Sequence, residues 1–212
     1  MLIALEGPPA VGKTTLAESL TNTLSYARVA EVNELFPDRP NPEPKFWYCE
    51  RQLDRCRRAS LYADCVLDGD PLQAIWFSWI YPELGFISWQ ESLEFFVARH
   101  RELLLPQCYV FLETDAAALR ERFLARATHR GTTAAEAERK WSRYEDMLQP
   151  QRAFFEAMSI EYPGLVKFLD TSRVRPGPAS ISFASDLPQP GRVEFLRWLA
   201  SWLSAHNAMQ FR

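Results

Sequence analysis

Short apolar runs alternate with longer amphipathic segments along most of the chain. An apolar run of four to eight residues bounded by turn residues is typical of a buried strand. The runs that predict strands are, in chain order, "MLIALEG", "ARVAEVNELF", which contains the second strand and the residues at its end, "DCVLDGDPL", "QCYVFLETD" and "LVKFLDTS".

The segments between these runs have helical periodicity. In the first of them, Leu16, Leu20 and Leu24 form one stripe. The helix over "AAALRERFLARA" has Thr114 or Asp115 as its cap. Further helices are predicted over "KFWYCERQLDRCRRASLYA", 72–80, 88–104, "AAEAERKWSRYEDMLQPQRAFFEAM", where Pro150 is expected to disturb the helix, and "RVEFLRWLASWLSAHNAM". Strands and helices that alternate in this way predict an α/β fold, with a central parallel sheet of about five strands in a three-layer α/β/α arrangement.

The pattern contains no internal repeat and no linker, so we expect a single domain over residues 1–212. Within it, 115–150 is a mainly helical region. The Pro- and Ser-rich segment 173–191 is expected to be an irregular loop, and 192–209 to be a closing helix.

Composition and charge exclude some classes of protein. The 212 residues are 47% hydrophobic and 24% charged, with a formal net charge of −3, so no overall basic field favours nucleic acid as a partner. No apolar stretch approaches the roughly 18 residues that span a bilayer, and no leader pattern is present. We therefore expect a cytoplasmic protein with no membrane partner. The four cysteines form no CxxC pair and are expected to be buried free thiols.

The most specific motif is "GPPAVGKT" at residues 7–14, which fits G-x-x-x-x-G-K-[ST]. Gly7 and Gly12 allow positive φ angles and a close approach of the backbone to a ligand. The loop lies between a predicted strand and a predicted helix, whose N-terminus attracts anions. This arrangement is typical of a loop that wraps a polyphosphate.

The motif predicts binding of ATP with Mg²⁺. We expect Lys13 to place its ammonium on the β- and γ-phosphates, Thr14 to give its hydroxyl to Mg²⁺, and Thr15 to bond a phosphate oxygen. The loop residues expected to contact the nucleotide are Gly7, Ala10, Val11, Gly12, Lys13, Thr14 and Thr15.

The rest of the sequence narrows the class. It contains neither the N-K-x-D nor the D-x-x-G pattern of GTPase switches, and it is short for a mechanical ATPase. From residue 1 to about 175 it resembles the P-loop nucleoside and nucleotide kinases, including thymidylate-kinase-like and deoxynucleoside-kinase-like enzymes. The resemblance implies transfer of the γ-phosphoryl group to a small acceptor.

Three further segments carry this resemblance. In "VLDGDPL", Asp68 matches the acidic residue that acts on Mg²⁺ or its water, but Gly69 replaces the arginine common in the family. Asp70 is an alternative polar contact or base. In "KFLDTS" and the residues after it, the segment 172–175 matches by position the loop that lies against adenine, although a plain connector fits equally well.

The remaining segment is "LRERFLARATHRG", which matches the family's lid. Arg122, Arg126 and Arg130 recur every four residues and share a helical face. The resemblance implies that Arg122 binds the nucleotide, while Arg126 and Arg130 meet the charge of the transferred phosphoryl group. The alternative is a solvated basic face.

The acceptor hydroxyl needs a carboxylate, and the family's acid lies at the end of the second strand. Glu31 matches it, with Glu34, Asp70 and Asp68 as alternatives. Aromatic residues bracket the third strand and either stack a planar acceptor, fill a core or cover the face of a homodimer; they are Phe46, Trp47, Tyr48, Trp76, Phe77, Trp79, Tyr81, Phe86 and Trp89. One of the arginines between 51 and 58 is a candidate ligand for an acceptor phosphate.

The sequence therefore predicts a kinase that uses MgATP, and a nucleoside or nucleotide is the first candidate for its acceptor. An antibiotic or another hydroxylated metabolite is the alternative acceptor, because this fold serves many substrates. A regulatory protein that binds ATP without catalysis and a polynucleotide end kinase are the other classes left open.

Overall fold

Five parallel strands form one sheet in the order β2-β3-β1-β4-β5. The structure is a computed structural model that describes residues 1–84, 87–172, 177 and 190–211. The strands are β1 (Leu2–Glu6), β2 (Ala27–Val29), β3 (Cys65–Asp68), β4 (Cys108–Glu113) and β5 (Val166–Asp170). The predicted fold class is confirmed, including the number and the parallel direction of the strands.

Helices connect the strands and cover both faces of the sheet. They are α1 (Lys13–Leu24), α2 (Val32–Leu35), α3 (Trp47–Ala59), α4 (Gln73–Ile80), α5 (Trp89–Ala98), α6 (Ala116–His129), α7 (Ala134–Glu161) and α8 (Arg192–Ala205). Short 3₁₀ turns occupy Pro82–Leu84 and Ala208–Phe211. No helix in these described ranges is long and apolar enough to cross a membrane.

Side chains that alternate along the strands supply two hydrophobic cores. Ile3 and Leu5 of β1 face one side, where they join buried residues of α1 and α6. Ala4 faces the other side, where a larger core includes residues of α3, α4, α5, α7 and α8. Because strands in a parallel sheet are buried on both faces, they read in the sequence as continuous apolar runs.

Local signals explain where several helices begin. Asp115 caps α6, since its carboxylate accepts a hydrogen bond from the Ala118 N–H at 2.9 Å. Ser88 and Glu91 form a capping box at the start of α5. The disturbance expected at Pro150 does not occur: α7 continues through this buried proline. Proline lacks the N–H that would donate one helical hydrogen bond. The helix tolerates this loss because packing holds the residues on both sides of Pro150.

The tryptophans of α4 fill the core. Trp76 packs edge-to-face against Phe155, and Trp79 lies against Trp202. Both are almost fully buried, so they do not offer a stacking surface to an acceptor. Phe86 and most of the expected loop 173–191 lie outside the described residues. The helix expected at 192–209 is observed as α8, followed by the second 3₁₀ turn.

Candidate active site

The P-loop lies between β1 and α1. Gly7 has φ +131°, and an added Cβ there would lie 2.2 Å from the Leu112 carbonyl oxygen, so no side chain fits. Ala10 and Gly12 also have positive φ angles, of 67° and 111°. Gly12 is the N-cap of α1 and gives it no side-chain cap, which leaves the helix start open to an anion.

Lys13, the first residue of α1, folds back over this loop. Its ammonium group donates hydrogen bonds to the carbonyl oxygens of Gly7 at 2.7 Å and Pro8 at 3.2 Å. The loop backbone thus holds the Lys13 ammonium group on the concave side of the loop, where it would attract a bound polyphosphate most strongly. Thr15 lies half-buried in the first turn of the helix.

A carboxylate from β3 meets the hydroxyl that follows Lys13. The Thr14 Oγ1 donates to Asp68 Oδ2 at 2.9 Å. Asp68 is 1% exposed, and its other oxygen, Oδ1, has no hydrogen-bond partner among the described residues. A buried carboxylate oxygen without a donor is costly unless a cation binds it. A hydroxyl and a carboxylate are oxygen ligands of the kind that Mg²⁺ prefers, so this pair fits the expected metal.

An arginine also contacts Asp68. The Arg28 side chain, from β2, places Nη2 2.8 Å from Asp68 Oδ2. The same guanidinium forms a two-pronged pair with Glu34, at 2.9 Å and 2.7 Å. Glu34 is therefore engaged in an ion pair, which disfavours it as the base for an acceptor.

Glu31, the first choice for that base, lies two residues after the end of β2 and is half-buried. It faces Gly69: an added Cβ at residue 69 would lie 3.7 Å from Glu31 Cγ. Gly69 has φ +95°, a conformation that L side chains rarely adopt. The glycine that replaces the family's arginine therefore leaves space beside Glu31.

A buried arginine supports the backbone around this space. Arg55 of α3 donates to the carbonyl oxygens of Ala30 at 2.8 Å, Asp68 at 2.8 Å and Gly69 at 3.1 Å. Its Nη1 donates to Gln52 Oε1 at 2.6 Å. Among the arginines between 51 and 58, Arg55 is the buried one, and its guanidinium binds backbone carbonyls of the protein itself.

The third candidate base, Asp70, is fully engaged. Its Oδ1 accepts from the Leu72 N–H at 3.0 Å and the Tyr109 hydroxyl at 3.2 Å, and its Oδ2 accepts from Trp76 Nε1 at 2.8 Å. Burial raises the pKa of this carboxyl to about 6. With both oxygens enclosed, Asp70 acts as a structural acceptor, which disfavours it as the base for an acceptor.

A third buried carboxylate, besides Asp68 and Asp70, lies beneath the P-loop. Glu6, the last residue of β1, accepts from the N–H groups of Gly7 at 3.0 Å and Asp70 at 2.9 Å, and from Gln151 Nε2 at 3.2 Å. Burial raises the pKa of the Glu6 carboxyl to about 7, although the Lys13 charge opposes the shift. Glu6 thus joins the P-loop, the turn after β3 and α7.

The three lid arginines do not act as one face. Arg122 turns toward the sheet, where Nη1 and Nη2 donate to Thr171 Oγ1 at 3.2 Å and to the Thr171 carbonyl at 3.1 Å. Thr171 Oγ1 in turn donates to the Val11 carbonyl at 3.3 Å, so this arginine is tied to the P-loop through one residue. Arg126 and Arg130 lie exposed at the end of α6, away from this contact. Of the segment 172–175, only Ser172 is within the described residues.

Solved structures of other proteins match the fold of this chain. Deoxyadenosine kinase from M. mycoides, solved with bound dATP, superposes with a TM-score of 0.50 at 14% sequence identity, over 95% of this chain and 100% of that chain. This chain has the fold of the P-loop kinases. At such low identity the comparison establishes the fold alone.

Two other solved structures match with lower scores. YorR protein from Bacillus subtilis, in complex with phosphorylated GDP, has a TM-score of 0.44 at 15% identity, over 98% of this chain and 99% of that chain. Shikimate kinase from Acinetobacter baumannii, in complex with shikimate, has a TM-score of 0.45 at 13% identity, over 96% and 93%. No protein-family model matches the sequence, and a search of curated proteins finds no significant match.

Sequence reasoning gave no role to Glu6 and Arg28, and it included Arg55 only among the arginines named as candidate ligands for an acceptor phosphate. A weak signal exists for the first two, because each places a charge inside or at the end of a short apolar run: "MLIALE" for Glu6 and "ARV" for Arg28. Arg55 carries no such signal, since it stands among other arginines on an amphipathic helix.

Proposed function

We propose that the protein is an ATP-dependent kinase that transfers the γ-phosphoryl group of MgATP to a small hydroxylated acceptor, with a nucleoside or nucleotide as the first candidate. The observation that carries the proposal is the hydrogen bond from Thr14 to Asp68. It joins a P-loop to a buried carboxylate at the carboxyl edge of the sheet, where open α/β sheets bind their ligands.

The donor side follows from the P-loop. Its backbone N–H groups and the start of α1 bind the triphosphate, and Lys13 moves from the loop carbonyls onto the β- and γ-phosphates. Mg²⁺, held by Thr14 and Asp68, would neutralise part of the triphosphate charge. Arg126 and Arg130 are exposed at the end of α6, so their proposed role requires the lid to close over the nucleotide.

The acceptor side centres on Glu31. The acceptor hydroxyl oxygen forms a bond to the γ-phosphorus while the bond from phosphorus to the β–γ bridging oxygen breaks. ADP leaves with that electron pair, and Glu31 accepts the hydroxyl proton. The space beside Gly69 is where the acceptor would approach this carboxylate.

Aromatic side chains near this space favour a planar acceptor. Tyr48 is half-buried and donates to Gln73 Oε1 at 2.6 Å. Burial is the main cause that raises the pKa of its hydroxyl, and the Glu31 charge adds to the increase. Arg39 lies 5.1 Å from the Trp47 ring and 5.9 Å from the Tyr48 ring. An aromatic acceptor that displaced Arg39 would stack on the same rings, and the arginine would be free to bind a phosphate on it.

The test is release of ADP from MgATP with a panel of nucleosides, nucleoside monophosphates and hydroxylated antibiotics. One acceptor is expected to raise turnover well above the background. Lys13→Ala is expected to lower this turnover about 100-fold or more. Lys45→Ala is the matched control, because Lys45 is an exposed lysine that pairs with Glu91.

Glu31→Gln then tests the acceptor side. It is expected to lower kcat about 100-fold with ATP affinity unchanged, since it removes only the proton acceptor. Equal turnover of Glu31→Gln and wild type would remove Glu31 from the mechanism. ATP binding without stimulation by any acceptor would favour a regulatory ATP-binding protein, and absence of ATP binding would overturn the proposal.

A further inference from the structure

Asp68 shares one oxygen between two donors, of which one comes from helix α1 and the other from strand β2. Thr14 Oγ1 and Arg28 Nη2 both lie within hydrogen-bond distance of Asp68 Oδ2, at 2.9 Å and 2.8 Å. The Arg28 guanidinium is thus adjacent to the P-loop hydroxyl that follows Lys13. This places a third cationic or polar donor at the phosphate end of the proposed nucleotide site.

Arg28 is held as a fixed, permanent cation. Glu34 binds Nη1 and Nη2 in a fork, and hydrogen bonding to Glu34 is the main cause that raises the arginine's pKa above its ordinary value. Such a two-pronged pair fixes the plane of the guanidinium. If Asp68 turned toward a metal ion, Arg28 would keep both hydrogen bonds to Glu34 and lose only the hydrogen bond from Nη2 to Asp68.

The head group also has unused donor capacity. The Nε atom of Arg28 is buried and has no partner in the ranges that the structure describes. A guanidinium carries five N–H donors in a planar fork, a geometry that suits phosphate oxygens. Arg28 therefore carries the charge and the planar fork of donors that suit a phosphoryl group.

The residue that follows Asp68 is a glycine and supplies no positive charge to the site. The φ of Gly69, +95°, disfavours any L side chain there. Phosphoryl transfer needs positive charge on the oxygens of the transferred group, and the lid arginines Arg126 and Arg130 are exposed at the end of α6. Arg28 reaches the carboxyl edge of the sheet from the adjacent strand β2 and pairs with Asp68 there.

We propose that Arg28 is a catalytic residue of this chain that contacts the γ-phosphoryl group of ATP. The inference rests on the proposed kinase function. It predicts that Arg28 distinguishes ATP from ADP, because only ATP carries the phosphoryl group in question. A merely structural arginine that neutralises Asp68 would affect both nucleotides alike.

The experiment measures the affinities of MgATP and MgADP by calorimetry for wild type, Arg28→Ala and Arg28→Lys. Arg28→Ala is expected to weaken ATP binding about tenfold and ADP binding less than about twofold, since it removes charge-assisted hydrogen bonds to one phosphate. Arg28→Lys keeps a charge beside Asp68 and is expected to lose about threefold for ATP, because the planar fork is absent. With an identified acceptor, kcat of Arg28→Ala should fall at least about 100-fold.

Arg57→Ala is the matched control. Arg57 also bridges two carboxylates, Asp54 and Glu102, but it lies exposed on α3. It is expected to leave both affinities unchanged. Thermal unfolding of each variant checks the fold, and Arg28→Lys carries the test if Arg28→Ala does not fold.

The possible results distinguish failure of the Arg28 inference from failure of the proposed kinase function. If wild type binds ATP but the folded Arg28 variants lose ATP and ADP affinity in equal measure, or lose neither, Arg28 does not contact the γ-phosphoryl group and the kinase proposal stands. If wild type binds neither nucleotide, both proposals fail together.

Discussion

The stability of the fold should decrease as the pH rises from 5 to 8, because a carboxyl group is buried beneath the P-loop. The pKa of Glu6 is about 7 in the folded chain, against an ordinary value of 4.5. Below 4.5 both states hold the proton. Between 4.5 and 7 only the folded state does, so its stability falls as the pH rises through this window. A shift of this size corresponds to about 3 kcal/mol in the free energy of unfolding.

The buried contacts explain why the neutral form is tolerated. Glu6 Oε1 accepts from Gly7 N–H and Gln151 Nε2, while Gln151 Oε1 is buried and has no partner among the described residues. If the Gln151 amide turned over, its oxygen would accept the proton of the neutral Glu6 carboxyl. The acid then keeps all three of its contacts in the protonated state.

The assay is urea unfolding at several pH values between 5 and 8, for wild type and Glu6→Gln. The variant cannot ionise at residue 6, so its unfolding free energy should lose the pH dependence between pH 6 and 7 and keep below pH 6 the part due to Asp70, whose buried carboxyl has a pKa of about 6. It is expected to be about 1–2 kcal/mol less stable than wild type at pH 5, because an amide cannot accept both backbone N–H groups. Glu18→Gln, on the exposed side of α1, is the control. Equal slopes for wild type and Glu6→Gln would refute the reasoning.

Three further predictions concern the framework of the site. Gly7→Ala should prevent ATP binding and lower the melting temperature, because its Cβ would lie 2.2 Å from the Leu112 carbonyl; calorimetry and thermal unfolding would measure this, and unchanged binding would contradict it. Arg55→Met should cost about 3–5 kcal/mol in urea unfolding, because three backbone carbonyls lose their buried donor, whereas a loss under 1 kcal/mol would mean that water replaces it. Asp115→Ala should cost about 1 kcal/mol by the same assay, and Asp115→Asn should restore most of that loss if capping is the cause.

The framework of the donor site was predictable because its signals are local. The strand before the P-loop, the spacing from Gly7 to Thr14 and the cap at Asp115 are all readable within a few residues. Asp68 was predicted from the resemblance to P-loop kinases, in which an apolar strand ends in an acidic residue. The local predictions depend on backbone geometry and burial, which act at short range.

The contacts between elements were not predictable in the same way. The pairing of Arg28 with Asp68 joins residues 40 positions apart, and no spacing rule connects β2 to the end of β3. Arg55 could not be distinguished from its neighbouring arginines, because an amphipathic pattern does not tell which long side chain turns inward. The continuation of α7 through Pro150 depends on tertiary packing, which overrides local propensity.

The unequal division of the two hydrophobic cores implies that the halves of the molecule open at different rates. The smaller core holds α1 and α6 against the sheet, whereas the larger one binds α3, α4, α5, α7 and α8 together. Amide hydrogen exchange should therefore be faster in α1 than in α4, since less apolar surface resists local unfolding. A bound nucleotide would slow exchange in α1 first, because ligand binding stabilises most the segment that would otherwise open. Time-resolved exchange with and without ATP would thus identify the nucleotide-binding half of the chain before any acceptor is known.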